Sequence, residues 1–192
     1  PSLFFFIGVY DDKFNINANY RILVSFFIIF IFLLIDENFI IRSIRLSEDI
    51  EFHLYGLSII FTIICMTGLI FALNMYDGIN LQFGFHLLII FTFFIFEGIL
   101  VNFFIFFNIL ILLFLYLNLK NKIYMGDSGV YFLGALVSIT FLKNYNIEVL
   151  KIEEIIVISL IPILDMFRVI GVRVFIRSHP FKKDHLHLHH IL

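Results

Sequence analysis

The sequence predicts an all-α fold, a polytopic transmembrane helical bundle, and three observations carry this prediction. Of the 192 residues, 61% are hydrophobic and 15% are charged, whereas roughly a quarter of the residues in a soluble domain are charged. Apolar runs close to the roughly 20 residues that cross a bilayer recur along the chain. The runs are continuous rather than alternating, which argues against a transmembrane β-barrel.

Seven apolar runs predict about six complete spans and the end of one more. The chain begins inside an apolar segment without Met and stops after a histidine-rich stretch. We therefore expect residues 1–192 to be a single integral-membrane catalytic domain, a fragment of a larger bundle truncated at the N-terminus and at the C-terminus. Residues 3–10 would end the incomplete span, and the complete spans would be 20–35, 54–73, 81–96, 99–119, 130–142 and 155–170.

The loops between the spans separate into two groups if each apolar run crosses once. Asp11, Asp77, Asp127 and the basic tail then share one face, and residues 36–53 and 143–154 share the other, together with Glu97. The first face carries most of the Lys and Arg, which predicts that it is cytoplasmic. Its acids are all Asp, whose short carboxylates suit the coordination of a metal or of a metal–phosphate group. No basic tract appears, so we expect no nucleic-acid partner.

Each polar cluster on this face has a plain structural alternative. Asp11 and Asp12 could cap a helix or form a solvated turn, and residues 74–80 could be a polar hairpin between two spans. Ser128 could simply cap the next helix. The functional interpretation is that Gly126 and Gly129 leave the carboxylate of Asp127 free to meet phosphate or metal. We expect His53 and His86 to be structural, and the single Cys65 excludes a disulfide framework and offers no metal cluster.

The tail from Pro180 to His190 contains four His and two Lys. A structural zinc site usually contains Cys and needs four defined ligands, whereas imidazole and ammonium groups at a membrane face are suited to bind phosphates. No acidic or basic residue falls in the middle of a predicted span, as it would in many transporters. Chemistry at the cytoplasmic boundary is therefore the favoured interpretation.

Taken in order, these clusters resemble the polyprenyl-phosphate N-acetylhexosamine-1-phosphate transferases, which form glycosyltransferase family 4. The resemblance covers nearly the whole chain. The chain departs from the family pattern in two respects. Asn80 and Leu81 replace a second Asp and the Gly that follows it, and Phe71 replaces an Asn six residues before Asp77. The matching residues are 8–12 with Phe14 and Arg21; 74–80; Asn118 with 122–129; Pro162, Asp165, Arg168 and Arg173; and Pro180, Phe181, Asp184, His187, His189 and His190.

The resemblance implies transfer of a sugar 1-phosphate from a UDP-N-acetylhexosamine to undecaprenyl (polyprenyl) phosphate in the lipid bilayer, with release of UMP. This would be the first step of a lipid-linked cell-envelope glycan, at the cytoplasmic face of a bacterial inner membrane. It implies Mg²⁺, or Mn²⁺, on Asp127 and places Asp11 and Asp12 at the acceptor phosphate. A homodimer is a further expectation. The resemblance also assigns a catalytic role to Asp77, His187, His189 and His190. It assigns substrate binding to Asn74, Gly78, Asn80, Asn118 and Arg173.

Other interpretations stay open at this point. The chain could be a non-catalytic protein that binds or transports a lipid carrier, or an inactive paralogue of the enzyme. A metal-binding membrane sensor that uses the histidine tail is a third. A direct transfer and a two-step route through an aspartyl intermediate are equally compatible with the residues.

Overall fold

The computed structural model describes residues 1–14, 16–46 and 50–175. Seven α-helices dominate this part of the chain and follow the seven apolar runs one to one, which confirms the predicted all-α class. They are α1 (Ser2–Phe14), α2 (Ala18–Ile35), α3 (Ser58–Tyr76), α4 (Gln82–Phe96), α5 (Val101–Leu119), α6 (Gly126–Asn146) and α7 (Ile152–Phe175).

The number of spans differs from the predicted six. Only four segments of the described residues are long and apolar enough to cross a membrane: α2, α5, α7 and Tyr55–Tyr76, which contains α3. Helix α4 is apolar but shorter. The 21 residues of α6 are long enough, but Asp127, Lys143 and several Ser, Thr and Asn residues make this helix more polar. More than half of α6 is buried inside the protein, so its side chains do not need to be lipophilic. The protein is a membrane protein with four such helices in the described part.

The described residues form two compact units, and the first contains residues up to 75 together with 126–175. Its centre is the packing of α1 on α6. A Cβ atom on Gly8 would lie only 2.3 Å from the Cα of Ser128, so the absence of a side chain at Gly8 lets the two helices touch there. Phe4, Ile70 and Tyr131 belong to the buried cluster around this contact.

A small antiparallel hairpin, absent from the sequence predictions, lies at the other end of the first unit. It consists of β1 (Ser43–Leu46) and β2 (Ile50–His53), and Arg45 pairs with Glu51 across it. The Nδ2 of Asn146, at the end of α6, donates to the carbonyl oxygens of Asn38 and Ile40 just before the hairpin. Asp127 and the hairpin are therefore at opposite ends of α6, as the alternation of loops predicts.

The second unit contains residues 76–125 and is built on the packing of α4 against α5. Phe91 and Phe94 of α4 contact Phe104 of α5, with ring centroids 5.2 and 4.8 Å apart. Leu115 packs against Gly84, where a Cβ atom would lie 2.6 Å from its Cδ2. These contacts hold the polar loops at the start of α4 and at the end of α5 together, and those loops carry several predicted site residues.

Candidate active site

Asp12 joins the end of α1 to the start of α6. Its Oδ1 accepts a hydrogen bond from the backbone N–H of Asp127 at 3.0 Å, and its Oδ2 accepts one from the N–H of Ser128 at 3.1 Å. The first N–H groups of a helix have no partner within the helix, so Asp12 caps α6 from a distant part of the chain. The sequence-based alternative, a local cap by Ser128, is wrong, because α6 begins at Gly126 and the cap comes from Asp12.

Gly126 makes this cap sterically feasible. Its φ is +68°, in the left-handed region that favours glycine, and a Cβ atom there would lie 3.3 Å from the Oδ2 of Asp12. The carboxylate of Asp12 is exposed at the surface of the first unit, which leaves the remaining lone pairs of its oxygens accessible to a ligand.

Asp127 is held by an amide from a third segment. The Nδ2 of Asn74, in the last turn of α3, donates to the Oδ1 of Asp127 at 3.2 Å. The flanking glycines suggested a carboxylate free to meet phosphate or metal, and the structure adds that Asn74 orients it. Its position in the first turn of α6 places it at the positive end of the helix dipole, which favours the ionised form. Three of the predicted site residues, Asp12, Asn74 and Asp127, thus come together from three separate segments.

Asp11 has an environment different from that of its neighbour. It is fully buried, and its Oδ2 accepts a hydrogen bond from the Nη1 of Arg21 at 2.7 Å while its Oδ1 accepts one from the N–H of Ile16 at 2.9 Å. Arg21 is itself 5% exposed, so the two charges compensate each other in a buried pair. A buried charge requires such a partner. Within the pair Asp11–Asp12, the exposed carboxylate is that of Asp12.

Tyr131 is a residue of this region that the sequence analysis missed. It follows Asp127 by one helical turn on the same face of α6, it is fully buried, and its ring lies edge-on to that of Phe71 at 6.0 Å. Its hydroxyl end is within the electrostatic influence of Arg21, Asp11 and Asp127. Its spacing of four residues from Asp127 was the feature of the sequence that could have pointed to Tyr131. A tyrosine in an apolar run is, however, more commonly a packing residue.

The remaining described site residues belong largely to the second unit, where Asn118 connects two loops. It is 3% exposed, its Oδ1 accepts from the N–H of Leu81 at 2.9 Å, and its Nδ2 donates to the carbonyl of Ile123 at 2.8 Å. Asn80 makes a second connection through its Nδ2 to the Oδ1 of Asn121 at 2.8 Å. Asp77 and Gly78 lie in the same turn between α3 and α4. The side-chain amides of Asn118 and Asn80 therefore hold together the loops in which they lie.

Leu81 adopts φ of +73° in this turn. The left-handed region costs a residue with a Cβ atom roughly 1–2 kcal/mol relative to glycine. The resemblance stated in the sequence analysis leads us to expect glycine here, and that departure therefore falls at a place where the backbone itself favours glycine.

The last predicted residues lie on α7 and beyond. Arg173 is half-buried in the final turn of α7. Arg168 donates from Nη2 to the Oδ1 of Asp165 at 2.7 Å within the same helix. His187, His189 and His190, together with Asp184, are outside the described residues.

The oxygen ligands of the first unit fit Mg²⁺. This ion is commonly bound by one or two carboxylates and completes its shell with water and substrate phosphates. Asp127 and the exposed Asp12 supply such carboxylates next to each other. No group of three or more His, Cys, Asp or Glu residues that could hold a metal occurs among the described residues. A metal on Asp127 would therefore take most of its ligands from substrate and water.

The fold and this polar end define a polytopic membrane protein in which two carboxylates and one amide converge at the start of α6. The family model described as glycosyl transferase family 4 matches residues 1–144. The chain therefore belongs to glycosyl transferase family 4. The match includes Asp11, Asp12, Asn74, Asp77, Gly78, Asn80, Asn118 and Asp127.

Membership of this family makes the protein a membrane-bound transferase that moves a phospho-sugar to polyprenyl phosphate. No curated protein matched the chain, and no solved structure matched it.

Proposed function

We propose that the protein transfers a sugar 1-phosphate from a UDP-N-acetylhexosamine to undecaprenyl or another polyprenyl phosphate and releases UMP. The reaction takes place at the cytoplasmic face of a bacterial inner membrane and starts a lipid-linked glycan of the cell envelope, such as a cell-wall polymer or lipopolysaccharide. The family supports the class of reaction. The observation that carries the finer proposal is the convergence of Asp12, Asn74 and Asp127 at the start of α6.

Asp127 is the proposed metal ligand, and the two other residues of this convergence position it. Asp12 fixes the first turn of α6 through two backbone hydrogen bonds, and Asn74 orients the Asp127 carboxylate. When bound, Mg²⁺ neutralises negative charge on the diphosphate; Mn²⁺ could replace it. Because both substrates are anions, this end of the protein needs such neutralisation before two phosphates can approach each other.

The exposure of Asp12 and the burial of Asp11 support different roles for the two adjacent acids. Asp12 is the carboxylate that can meet the acceptor phosphate and, where that phosphate carries a proton, accept it. Asp11 is buried against Arg21 and holds the end of α1 and the start of α2 in place. Both residues remain part of the proposed catalytic machinery, one through contact with the acceptor and the other through positioning.

In the direct form of the reaction, an oxygen of the polyprenyl phosphate attacks the β-phosphorus of the UDP-sugar. A new P–O bond forms, and the bond from that phosphorus to the bridging oxygen of the diphosphate breaks. The bridging oxygen leaves with UMP, and the product is a polyprenyl diphosphate sugar. Asp77, His187, His189 and His190 complete the proposed catalytic set, and Gly78, Asn80, Asn118 and Arg173 join Asn74 in binding the nucleotide sugar.

Membranes that contain the complete gene product, supplied with radiolabelled UDP-sugars and polyprenyl phosphate, test this proposal. The enzyme should convert label into an organic-extractable diphospholipid and release UMP in equal amounts, and chelation of divalent cations should stop both. A protein that only binds or transports the lipid carrier, or an inactive paralogue, would bind polyprenyl phosphate without releasing UMP. That result would overturn the proposal.

A further inference from the structure

The hairpin β1–β2 has one apolar face and one polar face. In its register, Ile44 is opposite Phe52 and Leu46 is opposite Ile50. Residues directly opposite each other in an antiparallel pair project to the same side, so these four side chains form one face, called here the apolar hairpin face. The alternate positions, which form the other face, are Ser43, Arg45, Glu51 and His53.

The hairpin is attached to α6 through Arg45 and Tyr145. The hydroxyl of Tyr145 accepts a hydrogen bond from the N–H of Arg45 at 2.9 Å and donates one to the carbonyl of Ser43 at 2.9 Å, so it occupies the outer edge of β1. The Nη2 of Arg45 donates to the carbonyl of Tyr145 at 3.0 Å, and its Nη1 pairs with Glu148.

Arg45 keeps its charge in this attachment. Burial acts to lower its pKa, but the hydrogen bond to Tyr145 and the charge of Glu148 outweigh burial and raise the pKa of Arg45 above its usual value. Arg45 on the polar face and the outer edge of β1 thus supply the contacts to α6, and these contacts orient the hairpin.

The apolar hairpin face points away from this attachment and is largely uncovered. Ile50 is 50% exposed and Phe52 is 57% exposed, and Leu46 is exposed as well. A soluble protein would place these side chains inside and the charges outside, because exposed apolar area is unfavourable in water. Here the apolar side chains are exposed together with Glu51 and His53 of the polar face. Exposed apolar side chains in a membrane protein are expected on a surface that faces lipid.

The residues around the hairpin indicate which apolar medium the apolar hairpin face contacts. Leu34 and Ile35 at the end of α2, and Tyr55 and Leu57 just before α3, are exposed at this end of the first unit. These residues end or begin helices that are long and apolar enough to cross a membrane. An aromatic residue such as Tyr55 is typical of the boundary between membrane and water.

We propose that the apolar hairpin face inserts into the interfacial region of the lipid bilayer and anchors the end of α6 that lies opposite Asp127. The occupant of this surface is lipid, continuous with the lipid that surrounds α2 and α3. The 21 residues of α6 correspond to a length of about 31 Å at 1.5 Å per residue, close to the roughly 30 Å of the hydrocarbon layer. Anchoring one end of α6 therefore sets the depth of its other end, where Asp127 lies.

Fluorescence quenching in vesicles of phosphatidylethanolamine and phosphatidylglycerol tests the proposal without any catalytic readout. In the complete protein with Cys65→Ser, bimane is attached to Cys introduced at Ile50 or Phe52 and, as matched controls, at Glu51 or His53. All four side chains are exposed and none makes the contacts to α6. Because neighbouring strand residues project to opposite sides, lipids that carry a quencher near the headgroup should quench positions 50 and 52 roughly twofold or more above the controls.

Each other outcome contradicts the proposal. Equal lipid quenching at 51 and 52 would show that the face is not inserted. Strong quenching of positions 50 and 52 by aqueous iodide would put the face in water. Shielding of these positions from both quenchers would show that protein covers the face, whether another segment, a second copy or a partner.

A second comparison tests the attachment to α6. Tyr145→Phe removes the hydroxyl that bonds to both Ser43 and Arg45 and leaves the ring. The contrast in lipid quenching between positions 52 and 51 should then decrease, because the hairpin is no longer held in one orientation. An unchanged contrast would overturn the role of Tyr145.

Discussion

The carboxylate of Asp12 accepts hydrogen bonds from the backbone N–H groups of both Asp127 and Ser128, at 3.0 and 3.1 Å. A capping interaction of this kind contributes about 1–2 kcal/mol to stability. It connects residues more than a hundred positions apart, and it places one acid of the proposed site directly beside another. The stability of α6 and the geometry of the site therefore depend on the same side chain.

Replacement of Asp12 should lower stability and turnover together. We expect Asp12→Ala to reduce the free energy of unfolding by about 1–2 kcal/mol, because two N–H groups lose their acceptor, and to reduce transferase turnover strongly. Thermal denaturation in detergent and the UMP-release assay measure the two effects. Asp36→Ala is the matched control, since Asp36 caps the N–H of Asn38 at 3.1 Å at the other end of the first unit. Loss of turnover in the control, or normal turnover in Asp12→Ala, would contradict the assignment.

The ion pair of Asp11 and Arg21 should behave as a coupled unit. Arg21→Met leaves a buried carboxylate without its partner, which costs about 3–5 kcal/mol of unfolding free energy. Asp11→Asn on that background removes the buried charge and keeps an acceptor for the N–H of Ile16, so it should restore a large part of the loss. A double-mutant cycle followed by denaturation measures the coupling. Additive effects of the two substitutions would show that the pair is not energetically linked.

Leu81 gives a prediction about backbone strain. Its φ of +73° is tolerated better by Asn than by a β-branched residue. Leu81→Val should therefore be less stable than Leu81→Asn by about 1 kcal/mol or more. At Leu119, an exposed residue at the end of α5, the same two substitutions should differ by less than about 0.5 kcal/mol. A difference of equal size at both positions would remove the strain argument.

The amide of Asn118 should affect substrate binding beyond its effect on stability. Asn118→Ala removes the bonds to Leu81 and Ile123 and should cost about 2 kcal/mol of unfolding free energy, with a rise in KM for the UDP-sugar. Asn108→Ala is the matched control, because Asn108 donates to Thr92 at 3.2 Å within the same unit but away from these loops. The control should lose stability without a change in KM. An unchanged KM in Asn118→Ala would show that the loops held by Asn118 do not take part in binding the nucleotide sugar.

The sequence was sufficient to predict most of the fold because its strongest signal, long continuous apolar runs, is local. Each of the seven runs became a helix. The number of spans was overestimated at α4, which has only 15 residues, and at α6. In α6, burial within the protein, rather than contact with lipid, permits Ser138, Thr140 and Asn144. The hairpin was missed although Ile44, Leu46, Ile50 and Phe52 alternate with polar residues, because this signal is only four residues long in each strand.

The convergence of Asp12, Asn74 and Asp127 was predictable from the sequence, but their contacts were less so. Asp12, Asn74 and Asp127 were all expected at one end of the protein, and they do converge there. Their interactions could not be predicted, since a cap supplied by a distant segment leaves no local pattern, and Ser128 offered a plausible local substitute. The sequence also could not predict that Asp11 is buried and Asp12 exposed. This difference depends on packing against α2, and two adjacent residues of the same type give no local signal of which one is buried.

The central claim is that the carboxylate of Asp127 binds the catalytic metal, and Asp127→Asn tests it most directly. The substitution is nearly isosteric and leaves an oxygen to accept the hydrogen bond from Asn74, so the folded protein should reach the membrane in normal amounts. We expect turnover of the complete enzyme to fall at least several hundredfold, on the order of 4 kcal/mol of transition-state stabilisation, whereas Asp36→Asn and Asp184→Asn cost much less. Full turnover of Asp127→Asn at limiting Mg²⁺ would place the metal elsewhere and contradict the account.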